Sequence, residues 1–194
     1  GQESGPWGTK IRALAVIARE CGHAVESLDY QGMADPLARA RKLVDWCRAQ
    51  PAPAILVGSS MGGYVALAAA SEAGAVGLFL MAPALYVPGY EAIPVPPPPG
   101  CPTTIVHGWR DDVLNWSGSA RYGDLSGARV VLVPDDHRLV ADLPGLHHHI
   151  VVGPALPGTL SYAELAASAA PGFTPIIADD PDQRAWLART LADA

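Results

Sequence analysis

Four short, largely apolar runs at residues 54–57, 76–81, 103–107 and 129–133 constrain this chain more than any other feature. The first, Ala54-Ile55-Leu56-Val57, lies between Pro53 and Gly58 and reads as a strand buried on both faces. Between these runs the periodicity changes to that of helices. Over residues 9–21, Ile11, Leu14, Ala15, Ala18 and Cys21 recur at three- and four-residue intervals, with Lys10, Arg12, Arg19 and Glu20 off the stripe. A short strand is expected at 24–28. Asp35 then offers an N-cap oxygen and Pro36 suits a first helical turn, so a helix carrying Leu37, Ala40, Val44 and Cys47 should run to about residue 49. An alanine-rich helix is expected over 61–73. Strands that alternate with helices through short connections imply an α/β fold, a mostly parallel sheet with helices on both faces.

Composition narrows the class further. The chain has 194 residues, one domain's worth on the ordinary scale of roughly 100–200. Its 49% hydrophobic content supplies a full core and excludes whole-chain disorder. A net charge of -6 argues against nucleic acid or an anionic membrane surface as partner, because both require clustered cations. The longest apolar run, residues 75–85, is too short to span a bilayer and is broken by Gly77 and Pro83. Cys21, Cys47 and Cys101 stand at no metal-ligand interval and read as buried free thiols, which points to a reducing, cytoplasmic setting. Residues 87–102 hold Pro88, Pro94, Pro96 to Pro99 and Pro102 and cannot form regular structure. They read as a stiff connector shaping the rim of a pocket, too short to build a large helical cap.

The chemistry concentrates in Gly58-Ser59-Ser60-Met61-Gly62, a Gly-x-Ser-x-Gly placed between a buried strand and a helix. A turn this sharp forces strained backbone angles on the central serine, and Gly58 and Gly62 are expected to remove side-chain collisions two residues either side. Ser60 then stands at a helix N-terminus, where free N–H groups and the helix dipole favour developing negative charge. The Met61 N–H is one natural oxyanion donor. A serine needs an oriented base to act as a nucleophile. Downstream, the strand at 103–107 leads into Asp111 and Asp112, and the strand at 129–133 leads into His137. Ligand sites in parallel sheets lie beyond the C-terminal strand ends, so Ser60, Asp111 and His137 should converge there. His107 reads as a structural hydrogen-bonding residue. Trp109, Tyr86, Tyr90 and Trp116 read either as the lining of an acyl pocket or as ordinary core and surface aromatics.

These motifs carry a resemblance. Gln2-Glu3-Ser4-Gly5-Pro6 leading to Lys10, then residues 58–64, 78–83, 106–111 and 136–139, resemble the small, lidless, single-domain α/β-hydrolases of the serine-hydrolase type. The likeness covers residues 1 to about 143. It implies Ser60 as nucleophile, His137 as general base and Asp111 as orienting acid, with Asp112 the nearest competitor for that last role. It also implies that the Gln2 N–H is the second oxyanion donor, and that no metal or organic cofactor is needed. The sequence opens inside the loop that follows an N-terminal strand of the family, so the expected sheet lacks that strand, as in a truncated chain.

Two segments are therefore expected: residues 1–144 as an α/β-hydrolase core and residues 145–194 as a C-terminal extension. The extension reads as strand (149–152), helix (161–170), strand (175–178) and helix (181–192), and stands as a terminal βαβα addition, an element for homo-oligomer contacts or a rearranged piece filling the vacant strand position. Its His147, His148 and His149 read as a polar loop, since adjacent histidines alternate in direction. The expected activity is cleavage of a small-molecule carboxylic ester or thioester through a Ser-Asp-His triad. The competing expectation is a non-catalytic hydrolase fold serving in binding or assembly, because function resides in the site rather than the fold.

Overall fold

The computed structural model describes residues 5–139 and 150–152. In chain order the elements are α1 (Thr9–Glu20), α2 (Pro36–Arg48), β1 (Ile55–Ser59), α3 (Met61–Ala73), β2 (Gly77–Met81), β3 (Thr103–Gly108), α4 (Ser117–Ser126), β4 (Arg129–Val133) and β5 (Ile150–Val152). The strands form one sheet in the order β1-β2-β3-β4-β5. The first four run parallel, and β5 is antiparallel to β4. Four parallel strands in sequential order place all their C-terminal ends along one edge.

Strand side chains alternate between two cores, as the two-residue period requires. Leu78, Leu80, Ile105, Val130 and Leu132 share a cluster with Val44 and Cys47 of α2, Val65 and Leu67 of α3, and Tyr122 of α4. Met81, Val106, Val131 and Val133 form the second cluster, covered by Ile11 and Leu14 from the α1 stripe. Helices thus lie on both faces. The Asp35 carboxylate caps α2 by accepting from the Leu37 and Ala38 N–H groups at 2.9 and 3.2 Å, as the sequence led us to expect.

Several expectations are corrected. β1 is not buried on both faces: it is the edge of the described sheet, with Ile55 57% and Val57 43% exposed. The α1 helix packs over the strand ends that carry Met81, Val106, Val131 and Val133. Residues 24–28 form no strand. A strand is stable only when its N–H and C=O groups find a neighbour, and no described strand lies beside this segment. The segment is tied to the chain before α1 by the Ser27 hydroxyl, which donates to the Pro6 carbonyl.

The α4 helix was not foreseen, since its sequence, SGSARYGDLS, combines weak helix formers without an apolar stripe. Of the free cysteines only Cys47 is buried, while Cys21 is exposed and Cys101 half-buried. The strand expected at 149–152 appears as β5; the remaining expectations for 145–194, including His147 to His149, lie outside the described residues. Among the described residues, no helix is long and apolar enough to cross a membrane.

The connection between β2 and β3 contains no helix. Its proline segment is pinned to the core by two tyrosines: Tyr64 Oη donates to the Pro94 carbonyl at 2.9 Å and Tyr122 Oη to that of Pro97 at 3.2 Å.

Candidate active site

Ser60 has φ 57° and ψ -126°, on the left-handed side that a residue with a Cβ rarely adopts. Backbone bonds hold it there. Its N–H donates to the Met81 carbonyl at 2.9 Å, and its carbonyl accepts from the N–H groups of Ala84 at 3.1 Å and Tyr64 at 3.2 Å. The turn is possible because Gly58 lacks a side chain: a Cβ there would meet the Gly62 carbonyl oxygen at 2.2 Å. The expectation for Gly62 is corrected, since a Cβ at that position meets nothing within 4 Å. Gly63 is the second constrained position, where a Cβ would stand 2.9 Å from Pro83. What brings the helix close to the sheet here is the approach of α3 to the β2 end, which spacing around a serine does not encode.

Ser60 caps nothing with its hydroxyl. The Met61 N–H, at the first position of α3, has no acceptor within the helix. Gln2, the expected second donor, lies outside the described residues.

Asp111 and His137 are brought together. Because a carboxylate only accepts, His137 Nδ1–H donates to Asp111 Oδ2, at 2.7 Å. This fixes the tautomer that leaves His137 Nε2 with a free lone pair. The other carboxylate oxygen, Oδ1, accepts from the N–H groups of Val113 and Leu114 at 2.9 and 2.8 Å. The Asp111 side chain is fully buried and that of His137 is 19% exposed. Burial works to raise the Asp111 carboxyl. The hydrogen bonds from His107, His137, Leu114 and Val113 outweigh it and hold the group well below the usual carboxylate range. Asp112, the competitor, is exposed.

Two features bring the His137 loop against Asp111. Gly108 is one: a Cβ there would meet the Asp135 carbonyl oxygen at 2.2 Å, so only glycine lets the β3 and β4 ends approach this closely. The Arg110 N–H then donates to that same carbonyl at 3.1 Å. Lys10 is the other, for its Nζ donates to the His137 carbonyl at 3.1 Å from the first turn of α1. Burial lowers the Lys10 ammonium, opposed by Asp111, Asp135 and Asp136. The sequence places Lys10 at the end of a loop motif and off the apolar stripe of the first helix, and nothing local signals its contact with the His137 carbonyl.

Ser60 stands at the same strand-end edge, after β1, without a direct hydrogen bond to His137. Trp109 and Trp116 are each 6% exposed and belong to the core. Tyr86 packs at the core margin under the Arg121 guanidinium, 4.2 Å from its ring centre, and Tyr90 is 55% exposed. His107 is fully buried and hydrogen-bonded, as expected. Among the described residues no group of His, Cys, Asp or Glu is arranged to hold a metal ion.

A sequential parallel sheet, a strained serine between strand and helix, and a carboxylate-bound histidine beyond later strands define an α/β-hydrolase fold. The comparisons agree. A sequence model described as the alpha/beta hydrolase family matches residues 1–194, and the chain belongs to that family. No curated protein matches. Among solved structures, a protein described as a hydrolase of the alpha/beta superfamily, from Xanthomonas campestris pv. campestris, is 30% identical. That match covers 74% of this chain and 87% of that one, with a TM-score of 0.67. Mouse alpha/beta hydrolase domain-containing protein 10 is 23% identical over 73% of this chain and 81% of its own, with a TM-score of 0.58. Est1E from Butyrivibrio proteoclasticus, in a structure with ferulic acid bound, is 17% identical over 74% and 81%, with a TM-score of 0.61. The last two show likeness of fold alone.

Proposed function

We propose that this chain is a serine hydrolase that cleaves carboxylic esters or thioesters, with Ser60 as nucleophile, His137 as general base and Asp111 as orienting acid. The observation that carries this reading is the 2.7 Å bond from His137 Nδ1–H to a buried, fully charged Asp111, on the edge where Ser60 stands strained at a helix N-terminus. His137 Nε2 takes the Ser60 proton as Oγ attacks the carbonyl carbon. Asp111 stabilises the imidazolium that forms, and the Met61 N–H donates to the oxyanion, with Gln2 as its companion. The imidazolium returns its proton to the leaving alcohol or thiol. Water, activated by the same imidazole, then releases the acid from the acyl-serine. None of these steps calls for a metal or an organic cofactor.

The absence of a helix between β2 and β3 supports small or exposed esters over long buried chains. The reading keeps residues 1–144 as the hydrolase core and 145–194 as an extension serving self-association in a cytoplasmic protein.

A fluorophosphonate probe tests the assignment, since it labels only an activated serine. Ser60 should label, and Ser60→Ala should abolish labelling and lower kcat by about 10⁶-fold, the cost of losing a triad nucleophile. A folded protein that does not label would turn the assignment to a binding or assembly protein on the same fold.

A further inference from the structure

Asp111 serves two imidazoles. Besides His137, the fully buried His107 places its Nε2 3.0 Å from Asp111 Oδ2 and 3.0 Å from the Leu114 carbonyl oxygen. Both neighbours are acceptors, so Nε2 carries the proton and donates to the two. On the other side of the ring, Nδ1 lies 2.7 Å from the Ser119 hydroxyl of α4, which donates to it when the ring is neutral. Ser119 is itself fully buried. A chain of bonds therefore runs from α4 through β3 to the histidine after β4: Ser119, His107, Asp111, His137.

With His107 included, the carboxylate has four donors, two on each oxygen. That is the full complement of a carboxylate, about four lone-pair sites. A carboxylate held by four donors cannot rotate, and its basicity is shared among them. The His107 N–H points its positive end at the oxygen that His137 uses. It therefore opposes a positive charge on His137 while fixing the direction of the bond to it.

We propose that His107, held by Ser119, is a positioning residue that acts through Asp111 to orient His137 and to keep it from being over-stabilised as the imidazolium. The catalytic consequence rests on the reading of His137 as general base; the coupling between the two histidines does not. Among the described residues, the charged groups facing Asp111 include Lys10 on α1, which also interacts with Asp135 and Asp136 after β4, and they are the same in every variant named below. Removing the His107 donor leaves Asp111 a stronger acceptor for His137, so His137 should hold its proton to higher pH.

The test is a titration of ¹⁵N-labelled protein followed by imidazole NMR, with kcat/KM profiles beside it. In the parent protein His107 should be the Nε2–H tautomer at neutral pH; an Nδ1–H tautomer would overturn the inference whether or not any variant folds. In His107→Leu, the pH at which His137 takes up its proton should rise by about half a unit. The ascending limb of kcat/KM should move the same way, with kcat down about tenfold from the looser imidazole. His107→Gln, whose amide N–H can replace the donor, should restore both readouts towards the parent values. A His137 titration unchanged in a folded His107→Leu would sink the inference and leave the triad intact. A parent protein that shows the coupling but does not label with fluorophosphonate would sink the triad and leave the coupling.

Discussion

At the scale of single residues, the two adjacent carboxylates Asp111 and Asp112 differ entirely in their surroundings. Asp111 is buried and accepts four hydrogen bonds, whereas Asp112 is exposed. Asp111→Asn should therefore lower kcat by about 10⁴-fold, the scale seen when a triad acid loses its charge and the wrong tautomer follows. Asp112→Asn should cost less than about threefold, as a surface change outside the network. Initial rates on a p-nitrophenyl ester separate the two. The pH profile adds a sign: without the Asp111 charge the imidazolium is less favoured, so the ascending limb of kcat/KM should move to lower pH. That is opposite to the shift expected from His107→Leu, and the pair of variants distinguishes loss of the acid from loss of its donor. The sequence presented both aspartates on one loop. Only the fold turns one of them inward.

Among elements, the loop after β4 is held both by its own hydrogen bonds, such as the Arg138 N–H donating to Asp136 Oδ1 at 2.7 Å, and by contacts from α1 and β3. Lys10→Met keeps the stem of the side chain and removes the ammonium that donates to the His137 carbonyl. The expected result is a fall in kcat of about 10–100-fold with KM little changed, because a catalytic group displaced by about an ångström loses that much. Steady-state kinetics over a full substrate range would check it. Gly108→Ala acts from the other side. Its Cβ would collide with backbone, the Asp135 carbonyl at 2.2 Å, so the β3 and β4 ends must separate. We expect a loss of stability of about 1–3 kcal/mol, the usual cost of overpacking, measured by urea unfolding. By contrast, the Asp35 cap and Pro36 start of α2 were visible in the sequence, because capping is a contact over two or three residues.

For the whole molecule, the depressed Asp111 carboxyl ties stability to pH. The folded protein keeps this group ionised where the unfolded chain, with an ordinary value of 3.8, takes up a proton. Its contribution is therefore complete above that ordinary value and is lost as pH falls below it towards the folded value. Parent protein and Asp111→Asn should accordingly differ most in thermal midpoint near pH 5, with the difference narrowing steadily as pH falls below 3.8, when followed by circular dichroism. A constant difference across that range would mean that Asp111 contributes through shape alone. The sheet itself shows a second whole-molecule property: α1 covers the strand-end cluster of β2, β3 and β4, while Ile55 and Val57 of β1 remain open. Which side of an apolar strand is covered is a property of the assembled layers.

Local sequence determined what local forces control. Three- and four-residue apolar intervals marked α1 and α2, an alanine-rich stretch marked α3, and short apolar runs marked the strands β1 to β4, each to within a few residues. The Gly-x-Ser-x-Gly stretch marked the turn at Ser60, and chain order marked Asp111 and His137 at strand ends that a parallel sheet must bring to one edge. Tertiary structure decided everything that depends on residues distant in the chain. It turned Asp111 rather than Asp112 towards His137, set Gly63 instead of Gly62 against its neighbour, and joined Lys10 to a carbonyl 127 positions away. It also formed α4 from a poor helical sequence, by burying Tyr122 and bonding Ser119 to His107. A strand pattern at 24–28 went unused for the converse reason. Backbone donors and acceptors there have no described strand to pair with, and periodicity alone cannot supply a neighbour.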